Sequence, residues 1–258
     1  METAVSDHVA ALTAYGGYTE VIYLREKQLI PVPKTVDPIA AAPLILNYIV
    51  AYQTMHRVAK VKSGDKVLIV DASGGIGTAI LELGKLAGLV MYGVASKAKH
   101  EALHDYGAVA IDYHTQEFAE VISQAEPGGL DIIVDGIGGD YVKRGFLLLK
   151  RGGTYVTFAN PMKLSKMFRL LGQSLWLNLW PNGRSYKLYG TGQSYVHKRP
   201  FLEDWATLFK LLENGKISPI IMRTFPILEA GQANALLESG QVVGNIVLAS
   251  PDLLLSSS

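Results

Sequence analysis

The chain has 258 residues, of which 49% are hydrophobic and 18% charged, with a net charge of +1. This composition predicts a folded protein with a sizeable core rather than a disordered one, and the charge gives no electrostatic case for a nucleic-acid partner. The absence of cysteine excludes disulfides, thiolate chemistry and cysteine-ligated zinc. Residues 1–4 do not resemble a secretory signal, and the apolar segment 168–180 is too polar to span a bilayer. We therefore expect a cytoplasmic protein without a membrane partner.

The first 37 residues have a different pattern from the rest of the chain. Strand-like patterns at residues 9–12 and 18–24 are separated by a turn that contains Gly16 and Gly17, and prolines then lead into a helix predicted at residues 43–60. Two strands do not make a stable domain by themselves. We therefore expect these strands to join a sheet to which C-terminal strands contribute.

From residue 66 onward, apolar strands alternate with amphipathic helices, and glycines follow several of the predicted helix ends. This alternation predicts an α/β fold with a doubly wound parallel sheet. The strands are predicted at residues 67–70, 90–95, 109–111, 132–135 and 154–158, and the helices at 77–87, 97–106, 116–125 and 141–150. Further helices are predicted at residues 162–178, 201–213 and 228–238, and further strands at 185–190, 222–225 and 245–248.

A glycine-rich turn follows the first strand of the predicted sheet. Residues 71–77 read Asp-Ala-Ser-Gly-Gly-Ile-Gly, which fits G-x-G-x-x-G with alanine in place of the first glycine. Glycines let the backbone approach a pyrophosphate, and a helix N-terminus favours an anion. The strand before the turn and the helix after it favour a dinucleotide site over a turn that binds nothing. The predicted cofactor-binding residues of this turn are Ser73, Gly74, Gly75, Ile76 and Gly77.

Several short segments carry a resemblance to a known family. They are Ala-Ser-Gly-Gly-Ile-Gly at 72–77, Asp-Tyr at 112–113, Asp-Gly-Ile-Gly-Gly at 135–139, Arg-Gly-Gly at 151–153, Asp-His-Val-Ala at 7–10, Asn-Tyr-Ile-Val-Ala-Tyr at 47–52 and Gly-Asn-Ile-Val-Leu at 244–248. Through them the chain resembles the medium-chain dehydrogenase/reductase superfamily, specifically its zinc-free quinone oxidoreductase branch. The resemblance covers nearly the whole chain.

The resemblance implies a Rossmann domain at residues 38–213 and a partial GroES-like β domain formed by residues 1–37 and 214–258. The chain departs from the family pattern in three places. Its first residue falls just before a strand that lies well inside the GroES-like domain, so the earlier strands and their substrate-pocket residues are expected to be missing. Val50 stands where the family often has a threonine, and Asn245 where it often has a lysine. These departures bear on catalysis more than on cofactor binding, for which Asn245 is still a candidate.

The end of the second strand of the sheet indicates which cofactor binds. An NAD site usually has an Asp or Glu there, about twenty residues past the glycines. This chain has Ser96 there, followed by Lys97 and Lys99, so that no carboxylate at this strand end repels a 2′-phosphate. A hydroxyl and two cations favour NADP(H). The resemblance implies that Ser96, Lys99 and Tyr113 hold the phosphate, whereas an ordinary solvated helix start is the alternative for the lysines.

Hydride transfer needs a docked nicotinamide, a pocket and a donor for the developing negative charge. Gly136 and Ile137 follow the fourth strand of the sheet, and Phe158 and Asn160 lie at the end of the fifth. Open α/β sheets bind ligands at this edge. These four residues are therefore predicted to lie near the nicotinamide half of the cofactor.

Tyr48 and Tyr52 are the candidates for a phenol that donates to a substrate carbonyl, because they lie one helical turn apart. Core or interface packing is the more common role of such residues. His100 and His104 have a spacing that can chelate a metal, but no third ligand joins them, so no metal site is predicted. The sequence contains no G-x-S-x-G, which argues against an α/β-hydrolase.

The resemblance thus implies an NADPH-dependent oxidoreductase that transfers hydride to a quinone or an α,β-unsaturated carbonyl. A cofactor-binding protein without full catalytic activity, acting as a sensor, a scaffold or a subunit, is the alternative. A natural chain longer than this one is a third possibility. The resemblance also implies a homodimer in which the edge strand of the Rossmann sheet, at residues 185–190, lies in the interface beside the apolar segment 168–180.

Overall fold

A computed structural model describes residues 4–13, 15–158, 164–179, 181–191 and 199–255. The chain forms two compact units. The first contains the described parts of Met1–Ile49, Gly74–Ala79 and Thr191–Ser258, and the second contains Val50–Ser73 and Ile80–Gly190. Residues 38–49 and 199–213 therefore belong with the terminal segments, whereas the sequence assigns them to the Rossmann domain. The domain boundaries at residues 37 and 213 stay a prediction.

The N-terminal residues form shorter strands than the sequence predicts. Strand β1 (Val9–Ala10) pairs antiparallel with β2 (Ile30–Pro31). Residues 18–24, predicted as a strand, form none. Side chains there, such as Val21 and Tyr23, are exposed. A strand needs a partner for its backbone groups, and none of the described residues pairs with this segment, so the prediction is wrong.

The helix predicted at residues 43–60 begins earlier than expected. The carboxylate of Asp37 accepts hydrogen bonds from two backbone N–H groups at 3.1 and 3.2 Å and caps the first turn, where proline is favoured. The helical segment ends at Lys60, which has a left-handed backbone (φ 58°). Its parts are α1 (Pro38–Pro43), a π-wound stretch (Leu44–Tyr48), α2 (Ile49–Tyr52) and a second π-wound stretch (Gln53–Ala59).

A six-stranded parallel sheet lies at the centre of the second unit, with strand order β5-β4-β3-β6-β7-β8. This confirms the predicted α/β, doubly wound Rossmann fold. The strands are continuous apolar runs because helices cover the faces of such a sheet. They are β3 (Lys66–Val70), β4 (Val90–Ala95), β5 (Val109–Asp112), β6 (Leu130–Asp135), β7 (Leu149–Phe158) and β8 (Ser185–Tyr189).

The helices between these strands follow the predicted order. The predicted helix at 141–150 ends earlier, in a 3₁₀ turn at Phe146–Leu148, because Leu149 already begins β7. Buried side chains from strands and helices, among them Ile111, Ile122 and Tyr155, share one hydrophobic cluster. The helices are α3 (Gly75–Leu86), α4 (His100–His104), α5 (Phe118–Ala125), α6 (Asp140–Gly145) and α7 (Leu164–Leu179).

The C-terminal residues form a separate two-stranded sheet. Strands β9 (Ile221–Pro226) and β10 (Asn245–Ala249) pair in parallel, which requires a crossover connection, and a helix lies between them in the chain. Among the described residues this pair does not join β1 and β2, so the expected common sheet of N- and C-terminal strands is not formed there. The remaining helices are α8 (Arg199–Glu213), α9 (Ala230–Glu238) and α10 (Pro251–Leu255). None of the helices in the described ranges is long and apolar enough to cross a membrane.

Candidate cofactor site

A cavity of about 190 Å³ lies at the carboxyl edge of the six-stranded sheet, within the second unit. The strands that meet there are in parallel register, so that Val70 of β3 lies opposite both Val94 of β4 and Asp135 of β6. Residues that directly follow neighbouring strands therefore come together. The cavity is lined by Asp71, Ser73, Val94, Ala95, Ser96, Lys99, Tyr113, Ile137 and Tyr141.

The structure brings together the three residues that the resemblance assigns to a 2′-phosphate. Ser96 and Lys99 belong to the turn after β4, in which the Lys99 N–H donates to the Ser96 carbonyl at 2.9 Å. Tyr113 follows β5, and 51% of its surface is exposed. Its ring lies 4.2 Å from the ring of His114. A hydroxyl, an ammonium and a phenol thus converge in one cavity and supply the donors that a phosphate needs.

Asp71 and Tyr141 also line this cavity, and neither was predicted as a site residue. NAD sites usually have their carboxylate at the end of the strand that corresponds to β4, whereas Asp71 comes from the end of β3. Its backbone is left-handed, with φ 64°, a conformation that aspartate adopts more readily than most residues. Desolvation raises the pKa of Asp71 above its usual value, the charge of Lys99 acts against this, and the charge of Asp135 adds to it. The only sequence signal was its position directly before the glycine turn.

The glycine turn joins β3 to α3. The carbonyl of Gly74 accepts the Thr78 N–H at 2.9 Å and the Thr78 hydroxyl at 3.0 Å, which fixes the start of the helix. Gly74, Gly75 and Ile76 are partly accessible to solvent, whereas Ser73 and Gly77 are buried. The helix start therefore presents accessible backbone at Gly74 and Gly75, as an anion site requires.

Gly75 packs against two asparagines of the first unit. Asn47 donates its amide N–H to the Asn245 carboxamide oxygen at 2.6 Å, and the Asn245 amide donates to the Ile220 carbonyl at 2.9 Å. A Cβ at residue 75 would overlap the Asn47 amide nitrogen. Only glycine fits this position without a shift of Asn47. The amide of the buried Asn245 is thus engaged within the protein, and its contact with a cofactor stays a prediction.

Asp135 shapes the loop after β6. Its buried carboxylate accepts the Ile137 and Gly138 N–H groups at 2.7 and 2.8 Å and the Tyr155 hydroxyl at 2.7 Å. Gly138 and Gly139 have positive φ values of 74° and 65°, which favour glycine. The Asp135 side chain therefore holds the backbone of this loop in a defined conformation.

The predicted residues on the nicotinamide side come together in part. A Cβ at Gly136 would lie 2.6 Å from the ring of Phe158, so that the ring packs directly on the loop backbone. The side chain of Ile137 is 56% exposed and lines the cavity. Asn160 lies outside the described residues.

Comparison with known proteins decides the family. A profile described as zinc-binding dehydrogenase matches residues 106–248, more than half of the chain. The chain belongs to this dehydrogenase family. It is a member of the medium-chain dehydrogenase/reductase superfamily and of its quinone oxidoreductase-like branch.

Individual relatives of this dehydrogenase-family chain have related names. It is 29% identical over 256 residues to the synaptic vesicle membrane protein VAT-1 homolog of Homo sapiens, with 94% of this chain and 65% of that protein covered. It is 28% identical to the 2-haloacrylate reductase of Burkholderia sp, with 92% and 72% covered. The structure of the quinone oxidoreductase from Coxiella burnetii superposes with a TM-score of 0.69 at 28% identity, covering 86% of this chain and 63% of that one. The chain spans 65% of the length of the human VAT-1 homolog and 38% of the length of the Rattus norvegicus one.

The two tyrosines predicted for catalysis have different environments in this chain. Tyr48 is 1% exposed and belongs to the core of the first unit. Tyr52, in the second unit, is half-buried, and its ring lies 4.5 Å from that of His56. A phenol must reach the substrate to donate to it, and Tyr52 is the more accessible of the two. The catalytic role of either residue stays a prediction.

The name of the family does not assign zinc to this chain. Within the described ranges, no group of three or more histidine and acidic side chains is arranged to hold a metal ion. A ring nitrogen of His100 lies 3.3 Å from the Ala95 carbonyl, and one of His104 lies 3.3 Å from the Ala108 carbonyl. These contacts give both histidines a local structural role. The predicted absence of a metal stays a prediction.

Proposed function

We propose that this protein is an NADPH-dependent oxidoreductase that transfers hydride to a quinone or to the β-carbon of an α,β-unsaturated carbonyl compound. The observation that carries the proposal is the cavity in which Ser96, Lys99 and Tyr113 converge and which Ser73 also lines. The names of two relatives, a quinone oxidoreductase and a 2-haloacrylate reductase, support this substrate class.

In this mechanism the chain's own residues bind and orient, and the nicotinamide, when bound, supplies the hydride. Lys99 and Ser96 would hold the 2′-phosphate through charge-assisted hydrogen bonds. The N-terminus of α3 would bind the pyrophosphate through the backbone of Gly74 and Gly75. Each of these contacts would limit the freedom of the part of the cofactor that it holds before the reaction.

The loop after β6 would carry the nicotinamide half. Asp135 fixes its backbone through Ile137 and Gly138, and the ring of Phe158 fills the space beside Gly136. A preorganised loop costs no rearrangement when the ring binds. Tyr52 is the candidate that would donate a hydrogen bond to the substrate carbonyl as negative charge develops there.

The test measures binding and turnover separately. Dissociation constants of NADPH and NADH are measured by fluorescence, and NADPH oxidation is then followed with a panel of quinones and enones. The proposal expects NADPH binding and oxidation with at least one of the two substrate classes. Binding without turnover on either class would support the alternative of a cofactor-binding protein without catalysis. No binding of either nucleotide would rule out both functions.

Lys99→Ala is expected to weaken NADPH binding by about tenfold or more and to leave NADH binding nearly unchanged, because a charge-assisted hydrogen bond contributes about 1.5–3 kcal/mol. Lys97→Ala is the matched control, since Lys97 is exposed and does not line the cavity. Both variants are titrated with both nucleotides at one salt concentration. An equal loss of NADPH affinity in the two variants would mean that the effect is general electrostatics and not a contact in the cavity.

We further propose a cytoplasmic protein, supported by the absence of cysteine, and a homodimer, supported by helix α7. The absence of cysteine suits a reducing compartment. Strand β8 lies at one edge of the sheet. Its outer side is partly covered, since the Tyr186 N–H donates to the Asn178 side chain at 2.9 Å and the Asn178 amide donates to the Tyr186 carbonyl at 2.8 Å.

The exposed side of α7 is apolar. Phe168, Leu171, Leu175 and Leu179 recur every three or four residues and are all more than half exposed. Such a stripe is typical of a helix face that packs on a partner. Because Asn178 occupies part of the strand edge, we assign the main dimer contact to this α7 face. A second copy of the chain would cover it.

The double variant Leu175→Glu with Leu179→Glu is expected to convert the dimer to monomers at micromolar concentration, because two carboxylates would be desolvated in each α7 contact. Leu228→Glu is the control, since Leu228 is 86% exposed in the first unit. Light scattering gives the mass of each protein. A parent chain that is monomeric, or a double variant that stays dimeric, would exclude this face as the interface.

A further inference from the structure

The cofactor cavity contains opposing charges. Of the described residues that line it, Lys99 carries an ammonium and only Asp71 carries a carboxylate. We propose that Asp71 sets how strongly this site discriminates between NADPH and NADH, by opposing the 2′-phosphate of one and accepting a hydrogen bond from the 2′-hydroxyl of the other. This inference rests on the proposed function, because it concerns the same nucleotide site.

The backbone places Asp71 where such a contact can form. Val70 lies opposite Val94 in the β3–β4 register, so Asp71 follows β3 at the level at which β4 reaches Ala95 and Ser96. The left-handed backbone at Asp71 turns the chain back, and the next N–H, of Ala72, donates to the Val94 carbonyl at 3.1 Å. Two neighbouring strand ends thus place Asp71 and Ser96 in one cavity wall.

NADPH and NADH differ only at the ribose 2′ position, which carries a phosphate in one and a hydroxyl in the other. Asp71 would disfavour the phosphate and favour the hydroxyl. A carboxylate is an acceptor for a ribose hydroxyl, which is the role of the acidic residue that NAD sites usually have at the next strand end. The same carboxylate repels a phosphate dianion. Lys99 acts in the opposite sense, since it attracts the phosphate and also interacts electrostatically with Asp71. The preference for NADPH is therefore a balance of two side chains.

Replacing Asp71 with asparagine tests the effect of the charge alone. Asparagine keeps the size of the side chain and tolerates the left-handed backbone as well as aspartate does. Asp71→Asn should therefore remove the charge without moving the turn. Glu101→Gln is the matched control, because Glu101 is an exposed carboxylate on α4 that does not line the cavity.

The experiment measures the dissociation constants of NADPH and NADH for the parent chain and both variants by fluorescence. Displacement by 2′,5′-ADP and by 5′-AMP then isolates the adenosine half of the cofactor. Asp71→Asn is expected to tighten NADPH and 2′,5′-ADP by roughly fivefold to tenfold, while NADH and 5′-AMP bind equally or more weakly. The gain should shrink as salt is raised, since the two charges are partly solvated. Glu101→Gln should leave the NADPH-to-NADH ratio unchanged.

The outcomes separate this inference from the proposed function. A parent chain that binds both nucleotides, with the same affinity ratio in Asp71→Asn, would overturn the role of Asp71 and leave the proposed function standing. An equal change of that ratio in Asp71→Asn and Glu101→Gln would also overturn it, because the effect would then be general electrostatics. A parent chain that binds neither nucleotide would overturn the proposed function, and the inference with it.

Discussion

Gly74→Val is expected to abolish the binding of both NADPH and NADH while the fold is retained. A side chain at this position would occupy the space into which a pyrophosphate must come against the helix start. The loss of two charge-assisted hydrogen bonds, each about 1.5–3 kcal/mol, would weaken binding on the order of a hundredfold or more. The dissociation constants are measured by fluorescence, and circular dichroism follows the fold.

Gly231→Val is the control for this prediction. Gly231 is the second residue of α9, and an added Cβ there would meet no atom within 4 Å. The control thus places the same bulk at the start of another helix. Full nucleotide binding in a folded Gly74→Val variant would remove the glycine turn from the site. An equal loss in both variants would mean that valine damages binding through the fold.

Asp135→Ala is expected to lower the free energy of unfolding by about 2–4 kcal/mol, because a buried hydroxyl and two backbone N–H groups lose their acceptor. Tyr155→Phe, which removes one donor and leaves the other two bonds, should cost about 1–2 kcal/mol. Asp140→Ala is the control, since this exposed carboxylate of the same region forms a surface ion pair with Arg144, at 2.8 Å. Chemical denaturation measures all three variants.

The pH dependence of the Tyr155→Phe effect follows from the environment of the phenol. Burial, then the charge of Asp135 and the hydrogen bond to it, raise the pKa of Tyr155 above its usual value. A group with a raised pKa in the folded state gives its full stability below the unfolded pKa, which is about 10 for tyrosine. The difference in the free energy of unfolding between the parent chain and Tyr155→Phe should therefore be constant below about pH 9 and fall as the pH rises further.

A loss of stability in Asp135→Ala no larger than that in Asp140→Ala would contradict the assigned role of the buried carboxylate.

The central sheet was predictable because its strands are continuous apolar runs bounded by glycine-rich turns. Strands β3 to β6 follow the predicted ranges closely, since burial on both faces demands the same residues that the pattern detects. The segment at residues 18–24 was also predicted as a strand but forms none. A strand depends on a partner, and the local sequence does not specify one.

The cofactor cavity was predictable in part. Ser96 and Tyr113 follow strand ends, where ligands of such sheets bind, so their position follows from chain order alone. Asp71 also follows a strand end, so chain order places it at the same edge, but its role in the cavity was not recognised because NAD sites have their carboxylate at the next strand end. Chain order does not predict the hydrogen bond between Tyr155 and Asp135, which are 20 residues apart, or the contact of Asn47 with Asn245, which are 198 residues apart. Contacts of this kind require the folded chain.

The side-chain amide of Asn178 hydrogen-bonds to the outer edge of β8, as a neighbouring strand would. Its oxygen accepts the Tyr186 N–H and its nitrogen donates to the Tyr186 carbonyl, as a backbone peptide group does in a sheet. The two residues are only eight positions apart, and Asn178 emerges from the ribosome first. Loops of about this length close in about 10–100 ns. We therefore expect this contact to form early in folding and to block intermolecular pairing at Tyr186, at a stage when exposed strand edges favour aggregation.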